Sequence, residues 1–253
     1  MSEYGPDTYG DRWAGVYDDW VARYAPTSDP ERVADRLAEL AGGGAALELA
    51  IGTGRIALPL QARGVRVRGI DASEAMVAKL RAKPGGEDIE IAVGDFADVA
   101  VDGTYGLVFV VFNTFFALLT QEDQVRCFTN VAPRLAAGGV FVIEAFFPDV
   151  TRFDRGQRLA AVAVETDGMH LEASKHDAVT QRVDSLHVVV ADGDLHTFPV
   201  RLRYAWPSEL DLMARLAGLR LRERWSGWDS EPFTASSARH VSVYERAPGA
   251  STS

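Results

Sequence analysis

The sequence predicts an α/β fold in which a mostly parallel sheet carries helices on both faces. Three observations lead to this prediction. Short apolar segments alternate with helical segments from residue 46 to residue 146, a run of strand-like segments then follows, and the chain closes with one helix and two strands. Alternating strands and helices are typical of parallel sheets that are covered on both faces. A chain of 253 residues, 47% of them hydrophobic, is long enough to bury such a core.

Two helices are predicted before the first strand. Residues 11–24 form one predicted helix, in which four apolar positions share one face: Trp13, Val16, Tyr17 and Trp20. The second helix has Asp29 as its N-cap, Pro30 at its first position and a glycine after its end. We expect both helices to pack beside the sheet.

The alternating region contains five predicted strands and three predicted helices. The strands are 46–51, 65–70, 89–93, 106–112 and 138–146, and the helices are 54–63, 73–82 and 121–136. Right-handed crossovers place the C-terminal ends of parallel strands at one edge, where ligands bind in such sheets. We therefore expect the functional site at that edge.

The region after residue 150 reads as an antiparallel meander of three or four strands. Its segments begin at residues 158, 169, 182 and 195, and turn signals such as "ETDGM" and "ADGD" separate them. A helix then runs from Pro207 to the glycine at 218, and segments 219–228 and 238–246 form a final strand pair. The meander is thus an insertion before the last helix.

Composition and charge exclude several classes of partner. The chain has 26 Lys and Arg against 36 Asp and Glu, a net charge of −10, which opposes binding to nucleic acid. Its single cysteine, Cys127, excludes an intrachain disulfide and is expected in the core. The five histidines lack metal-ligand spacing and are expected at surface or hairpin positions, so no metal site is predicted. No long apolar run is present, which predicts a cytoplasmic protein without membrane association.

The segment "LELAIGTG" at 47–54 marks a strand that turns into a helix over two glycines. This turn allows a ligand to approach bare backbone at a helix N-terminus. Gly52, Gly54 and Ala57 also satisfy a dinucleotide-binding pattern, with Asp71 placed 19 residues after Gly52. A nicotinamide cofactor is therefore one possibility.

Three features favour S-adenosylmethionine instead. Glu48 precedes the glycines, and its carboxylate can bind the cationic end of that cofactor or order the loop, whereas it would repel a pyrophosphate. Asp95 and Phe96 follow the third strand, where a carboxylate and an amide can bind an adenine. The closing antiparallel strand pair is unlike an ordinary dehydrogenase.

Five segments occur in an order that resembles class I S-adenosylmethionine-dependent methyltransferases. They are "LELAIGTG", "GIDASEAMVAKLR", "GDFAD", "VFNTFFAL" and "LAAGGVFVIEAF", and the resemblance covers roughly residues 9–147. It implies a Rossmann-like seven-stranded sheet with an antiparallel last strand. It also implies S-adenosyl-L-methionine as cofactor and S-adenosyl-L-homocysteine as product.

The same resemblance implies where the cofactor is held. Glu48, Gly52 and Gly54 correspond to the methionine end, Asp71 to the ribose, Asp95 and Phe96 to the adenine, and Met76 to the apolar residue against it. Residues of these motifs and of the N-terminal helix complete the expected cofactor set: Tyr9, Tyr17, Ala50, Ala72, Phe112 and Asn113. Tyr9 and Tyr17 are candidates to bind the cofactor carboxylate, and Phe112 for an apolar wall.

The chain divides, on this basis, into four parts. They are an N-terminal lid helix (1–28), a cofactor-binding core (29–150), an insertion that shapes the substrate pocket (151–206) and a closing helix and hairpin (207–247). The insertion is similar to that of enzymes that N-methylate deoxyaminosugars or peptide termini. Ala117 departs from the histidine common in the aminosugar group, which weakens sugar-amine specificity.

The expected reaction is methyl transfer to nitrogen or oxygen of a small molecule or short peptide in secondary metabolism. A neutral amine needs little beyond alignment, and the sequence has no obvious base, so an amine or an acidic hydroxyl is favoured. Tyr17, Glu144 and His240 are the candidate catalytic residues. An NAD(P)-dependent oxidoreductase and a non-catalytic cofactor-binding protein stay open, and the sequence does not define an oligomeric state.

Overall fold

A computed structural model describes residues 5, 7–24, 29–166, 168–191 and 194–249. The strands are β1 (Ala46–Leu49), β2 (Val67–Asp71), β3 (Glu90–Val93), β4 (Tyr105–Val110), β5 (Leu135–Phe146), β6 (Gln157–Val164), β7 (Gly168–Asp177), β8 (Arg182–Ala191), β9 (Asp194–Arg203), β10 (Leu219–Trp225) and β11 (Arg239–Arg246). The helices are α1 (Thr8–Trp13), α2 (Tyr17–Tyr24), α3 (Pro30–Ala41), α4 (Ala57–Ala62), α5 (Glu74–Arg81), α6 (Gln121–Val131) and α7 (Pro207–Leu216).

The main sheet has seven strands in the order β10-β11-β5-β4-β1-β2-β3. Strands β1 to β5 pair in parallel, and β11 lies antiparallel to both β5 and β10. The predicted fold class is therefore confirmed, including the antiparallel last strand. The C-terminal ends of β1, β2, β3 and β4 lie along one edge, as right-handed connections require.

Alternation along the central strands builds a core on each face of the sheet. On β4, Val108 and Val110 pack with α6 and α7, whereas Leu107 and Phe109 pack with α3 and α4. All four of these side chains are fully buried. A strand that is apolar on both faces is stable only between two layers, which explains why its sequence reads as a continuous apolar run.

Helix α3 is capped as the sequence predicts. The Asp29 carboxylate accepts a hydrogen bond from the backbone amide of Glu31, Pro30 stands at the first helical position, and Gly42 adopts a left-handed conformation with φ of 56°. These signals are local, so they determine the helix ends without help from the rest of the fold. The bounds of α3, the helix that directly precedes β1, are therefore determined by its own sequence.

The single helix predicted over residues 11–24 is wrong. Two short helices, α1 and α2, are separated by a turn around Gly15, a residue that costs helix stability. Val16 is 39% exposed and so does not share the buried face of Trp13.

Three predicted boundaries near the sheet also differ. The helix expected from residue 54 begins only at Ala57, because Gly54 has a left-handed φ of 77°. The helix expected to end at 136 stops at Val131, and a 3₁₀ turn containing Pro133 follows, since proline has no backbone N–H to continue the helix. Strand β5 therefore begins at Leu135 rather than at 138.

The insertion forms a separate four-stranded antiparallel sheet in the order β6-β7-β8-β9. One face of it packs on the N-terminal helices, where Phe198 and Val200 of β9 contact the cluster around Trp13. The division of the chain into four parts stays an interpretation.

Cys127 is fully buried, as predicted, and burial raises the pKa of its thiol. No helix in the described part of the chain is long and apolar enough to cross a membrane.

Candidate active site

A cavity of about 620 Å³ lies at the C-terminal edge of β1 to β4. Helices α1 and α2 form its roof, and β8 and β9 of the insertion form its far wall. All but two of the predicted cofactor residues line it: Tyr9, Tyr17, Ala50, Gly52, Asp71, Ala72, Met76, Asp95, Phe96, Phe112 and Asn113. The exceptions are Glu48 and Gly54. The edge that topology predicts thus carries the cavity, and the individual role of each residue stays a prediction.

The glycine turn presents its backbone to this cavity. Ala50 and Gly52 have left-handed φ values of 56° and 58°, and a Cβ placed on Gly52 would meet no atom within 4 Å. A non-glycine residue held in this region is strained, and such strain concentrates at ligand sites. The space beside Gly52 leaves room for a ligand against the backbone, which fits the cofactor expected there.

Asp71 connects the glycine turn to the next strand. Its Oδ2 accepts a hydrogen bond from the Gly52 amide at 2.7 Å, and its Oδ1 accepts one from the Ser73 amide at 2.9 Å. Burial raises the pKa of this carboxyl group, whereas the amides of Ser73 and Gly52 oppose the rise. Each oxygen keeps a further acceptor position. Helix α5 itself is capped by Ser73, whose Oγ accepts from the Met76 amide.

Glu48 is buried and is not among the residues that line the cavity. The side chain is 4% exposed, and burial raises its pKa well above the usual range despite the nearby Arg55 guanidinium. It accepts a hydrogen bond from the Ala57 amide at the start of α4. The Oε2 atom of Glu48 has no hydrogen-bond partner among the described residues. That Glu48 faces the cationic end of the cofactor stays a prediction, and its bond to Ala57 fits the second role open to it, which is to order the loop.

Gly54 also lies outside the cavity. A Cβ there would lie 2.8 Å from Cγ of Leu80 on α5, so this glycine allows close packing of the turn against the helix. Its contact with the cofactor stays a prediction, and the structure gives Gly54 a packing role that Gly52 does not have.

Two hydrogen bonds and one ion pair anchor the roof to the sheet edge. Ser73 Oγ donates to Asp11 of α1 at 2.6 Å, and Thr53 Oγ1 donates to Asp18 of α2 at 2.6 Å. Lys83 Nζ lies 2.7 Å from the other oxygen of Asp18. Because Thr53 belongs to the glycine turn, α2 is tied to the loop that borders the cavity.

The roof presents aromatic rings to the cavity. Trp13 stacks on Tyr9 with ring centroids 5.6 Å apart, and its ring meets that of Trp20 edge-on at 4.8 Å. Tyr17 pairs with Arg55, and burial raises its pKa to about 12. The phenol of Tyr17 is therefore protonated at neutral pH. It can donate a hydrogen bond there but does not act as a base.

Glu144 and His240 lie outside the cavity lining. Glu144 accepts hydrogen bonds from the Phe112 amide at 3.0 Å and from Trp228 Nε1 at 3.1 Å. His240 is fully buried, its Nδ1 lies 2.9 Å from Ser242 Oγ, and burial lowers its pKa to about 3. Their catalytic roles stay predictions, and the structure shows both side chains in structural hydrogen bonds.

Glu144 fixes the turn that follows β4. After Val111, Phe112 and Asn113 have left-handed φ values of 58° and 66°. Asn113 Oδ1 accepts a hydrogen bond from the Phe146 amide at 2.7 Å. The turn after β4 is therefore joined to β5 by hydrogen bonds donated in both directions. This pair of contacts holds a strained turn that lines the cavity.

Several cavity residues were not among the predicted site residues. They are Gly5, Gly10, Trp13, Trp20, Thr114, Ala117, Leu118, Leu119, Asp123, Phe146, His187, Val200, Arg201 and Leu202. His170, expected at a surface or hairpin position, is fully buried. Alternation along β7 and β8 could have placed His170 and His187 on the same face of their strand pair. Alternation alone does not indicate which face of the strand pair turns inward.

Among the residues described, no group of three or more His, Cys, Asp or Glu side chains is arranged to hold a metal ion.

Comparisons with known proteins agree with this geometry. Residues 46–139 match a family described as a methyltransferase domain. A protein of Streptomyces sp. named Cypemycin N-terminal methyltransferase is 30% identical over 205 residues, which cover 81% of this chain and 84% of that protein.

Solved structures extend the likeness to the whole chain. The CcbJ methyltransferase from Streptomyces caelestis is 42% identical with a TM-score of 0.91, and the match covers 96% of this chain and 100% of that one. An S-adenosylmethionine-bound amino pentose methyltransferase from Micromonospora echinaspora has a TM-score of 0.68 at 22% identity, covering 98% and 99% of the two chains. The second likeness concerns the fold alone.

Proposed function

The chain belongs to the S-adenosylmethionine-dependent methyltransferases, and from this membership we propose that it methylates a nitrogen of a small molecule or short peptide. One observation carries the proposal. A single cavity joins the glycine turn and Asp71 to an aromatic roof and to the wall that the insertion forms. The nicotinamide oxidoreductase that the glycine pattern left open is not supported, since the relatives are methyltransferases.

Bound S-adenosylmethionine supplies an activated methyl group on a sulfonium sulfur. In the proposal, Asp71 accepts hydrogen bonds from the ribose through its remaining acceptor positions. Asp95 and the Phe96 amide bind the adenine edge, and Met76 packs on its face. Tyr9 and Tyr17 of the roof donate hydrogen bonds to the carboxylate of the methionine end.

The roof and the far wall remove water from the acceptor amine and align it with the methyl group. Trp13 is fully buried, and Trp20 and Val200 pack in the same cluster, so a bound amine loses its water there. Desolvation favours the uncharged amine, which has the lone pair that the reaction needs. Alignment of that nitrogen about 3 Å from the methyl carbon then supplies most of the rate enhancement.

Nitrogen is favoured over oxygen as the acceptor atom. A relative matched over 81% of the chain is named as an N-terminal methyltransferase, and the amino pentose enzyme shares the fold. We place the protein in secondary metabolism and in the cytoplasm as part of this proposal, with no nucleic-acid partner, as its net charge of −10 predicts.

Two measurements test the proposal. Calorimetric titration should detect binding of S-adenosylhomocysteine and no binding of NAD⁺. Methyl transfer from deuterated S-adenosylmethionine should then be followed by mass spectrometry with deoxyaminosugars and short peptides that have a free N-terminus. Each acceptor is paired with an analogue in which a hydroxyl replaces the amine, and only the amines should gain the label.

Each other outcome has a definite meaning. Binding of S-adenosylhomocysteine without methylation of any acceptor would favour the non-catalytic cofactor-binding protein. Label on the hydroxyl analogues alone would overturn nitrogen as the acceptor atom. Binding of NAD⁺ in place of S-adenosylhomocysteine would overturn the cofactor.

A further inference from the structure

The inner face of the insertion sheet carries polar side chains among apolar ones. Alternate residues of a strand face the same side, and the register pairs Glu172 of β7 with His187 of β8 and Ser174 with Ser185. The neighbouring inner position on β9 is Phe198, which pairs with His187. Burial of polar side chains costs free energy unless they are hydrogen-bonded. Here Ser174 and Ser185 both donate to the Glu172 carboxylate.

His187 is the member of this cluster that lines the cavity. Its Nδ1 lies 2.9 Å from Nε2 of His170, so Nε2 of His187 is the ring nitrogen left for a ligand. The His187 ring meets the rings of Trp13 and Trp20 edge-on, each at 5.8 Å between centroids. Both tryptophans belong to the roof above the proposed acceptor position.

The surroundings keep His187 uncharged. Burial lowers its pKa from the usual 6.5, and the Glu172 carboxylate opposes this in part. From β7 it faces His170 and Glu172, and β6 contributes Arg158, whose guanidinium lies 3.1 Å from Glu172. The neighbours from α1, α2 and β9 are aromatic: Trp13, Trp20 and Phe198. A neutral imidazole can accept a hydrogen bond through one nitrogen while it donates through the other.

A second observation indicates that ligand atoms belong in this corner. Trp13 is fully buried and lines the cavity, yet its Nε1 has no hydrogen-bond partner among the described residues. A buried N–H without a partner costs about 1–3 kcal/mol. An acceptor atom of a bound molecule would satisfy it, beside the ring of His187.

We propose that His187 is a catalytic residue that accepts a hydrogen bond from the acceptor amine through Nε2, and that His170 is a positioning residue that fixes its tautomer. In this arrangement His187 carries its proton on Nδ1 and donates it to Nε2 of His170. The inference deepens the proposed function and rests on it, because it concerns an acceptor that has an N–H bond.

The chemistry of the step explains why the contact would accelerate it. The nitrogen lone pair forms a bond to the methyl carbon while the carbon–sulfur bond breaks, and the electron pair of that bond stays on sulfur. Positive charge develops on nitrogen, so its N–H becomes more acidic and its hydrogen bond to His187 strengthens in the transition state. The proton then passes to Nε2, and the resulting imidazolium keeps its Nδ1–H bond to His170 until the proton leaves to water.

The tautomer of His187 provides a test that needs no acceptor. Long-range ¹H–¹⁵N spectra of the wild-type protein with S-adenosylhomocysteine at pH 7 should show His187 as the neutral Nδ1–H tautomer. His187→Gln assigns the signal by its loss. A neutral Nε2–H tautomer, or a charged ring, would overturn the proposal. In His170→Phe the acceptor for Nδ1–H is gone, and the preference for that tautomer should disappear.

Activity provides the second test, with the amine that the acceptor panel identifies as the best substrate. His187→Gln should lower kcat about 100-fold, within the usual range for loss of a general base, while the Kd of S-adenosylhomocysteine stays unchanged. The matched control His196→Gln, at an exposed position of β9, should retain wild-type kcat. A kcat of His187→Gln within 3-fold of wild type would overturn the role.

The pH profile separates a base from a merely structural histidine. The wild-type plot of log kcat/KM should have a slope of about 1 above the pKa of His187, from deprotonation of the amine, and about 2 below it. His187→Gln should keep the slope near 1 throughout, and a slope of 2 in that variant would contradict the proposal. If no amine of the panel is methylated, the proposed function fails, and the tautomer still decides the claim about His187.

Discussion

At the scale of single residues, Asp71 shows how one carboxylate serves both the fold and a ligand. Its two oxygens each accept one backbone amide, at 2.7 and 2.9 Å, and the side chain still borders the cavity. Hydrogen bonds to a charged group contribute about 1.5–3 kcal/mol each. The bond to Gly52 fixes the turn, and the remaining acceptor positions are those proposed for the ribose.

Asp71→Ala should therefore weaken binding of S-adenosylhomocysteine about 10- to 100-fold, because it removes both the ribose contact and the tether to Gly52. Isothermal titration calorimetry measures the change. Asp88→Ala is a matched control, since Asp88 is exposed in the connection that leads to β3, and it should bind as the wild type does. Equal affinity for Asp71→Ala and wild type would remove Asp71 from the site.

The residues whose placement the sequence did not reveal are those whose environment is tertiary. Glu48 precedes the glycine turn at the spacing expected of a cofactor contact, yet its side chain is buried outside the cavity lining, where burial raises its pKa. His187 belongs to no sequence motif. It lines the cavity only because of the way the insertion sheet packs. Local spacing predicts which backbone bends, and packing decides where each side chain points.

At the scale of elements, the roof depends on a close approach between α1 and α5. A Cβ on Gly10 would lie 2.4 Å from Cβ of Ser73, and Ser73 also binds Asp11 of the same helix. Any side chain at residue 10 must push α1 away from the sheet edge. Tyr9 and Trp13, which flank this glycine, would move with it.

Gly10→Ala should raise the Kd of S-adenosylhomocysteine at least 10-fold and change tryptophan fluorescence, because the displaced roof no longer encloses the cavity. The matched control is Gly15→Ala, since a Cβ on Gly15 meets no atom within 4 Å. It should leave the Kd within 2-fold of wild type. Circular dichroism should show both variants folded, and identical binding by the two would contradict a closing role for α1.

Helices and strands whose ends are marked by residues within the element itself were predicted best. Helix α3, with Asp29, Pro30 and Gly42, was predicted to within a residue, and the alternation from β1 to β5 gave the sheet. The break at Gly15 and the exposure of Val16 were missed, since the apolar spacing of that segment suits one helix. Whether a segment with a central glycine bends depends on the partner against which it packs.

At the scale of the whole molecule, buried titratable groups couple stability to pH. Burial lowers the pKa of His170, His187 and His240, so the native state binds fewer protons than the unfolded chain below pH 6.5. Stability therefore falls with decreasing pH in that window. Glu48 acts in the opposite direction, because its raised pKa makes the native state bind a proton that the unfolded chain releases. The net profile mixes both signs, and one variant is needed to isolate a single group.

His240→Asn isolates one histidine, whose pKa burial lowers from 6.5 to about 3. The asparagine keeps a polar atom near Ser242 but does not titrate. Relative to the variant, the wild type should lose about 2 kcal/mol of unfolding free energy between pH 8 and pH 5. Below pH 6.5 the unfolded chain binds one more proton at this histidine than the native state does, and this difference lowers the unfolding free energy by about 1.4 kcal/mol per pH unit. Urea denaturation at each pH measures this difference, in which the contributions of Glu48 and of the other histidines cancel. His196→Asn, at an exposed position, should follow the wild-type profile. Parallel profiles for His240→Asn and wild type would show that His240 does not couple protonation to the fold, whatever constant offset the substitution adds.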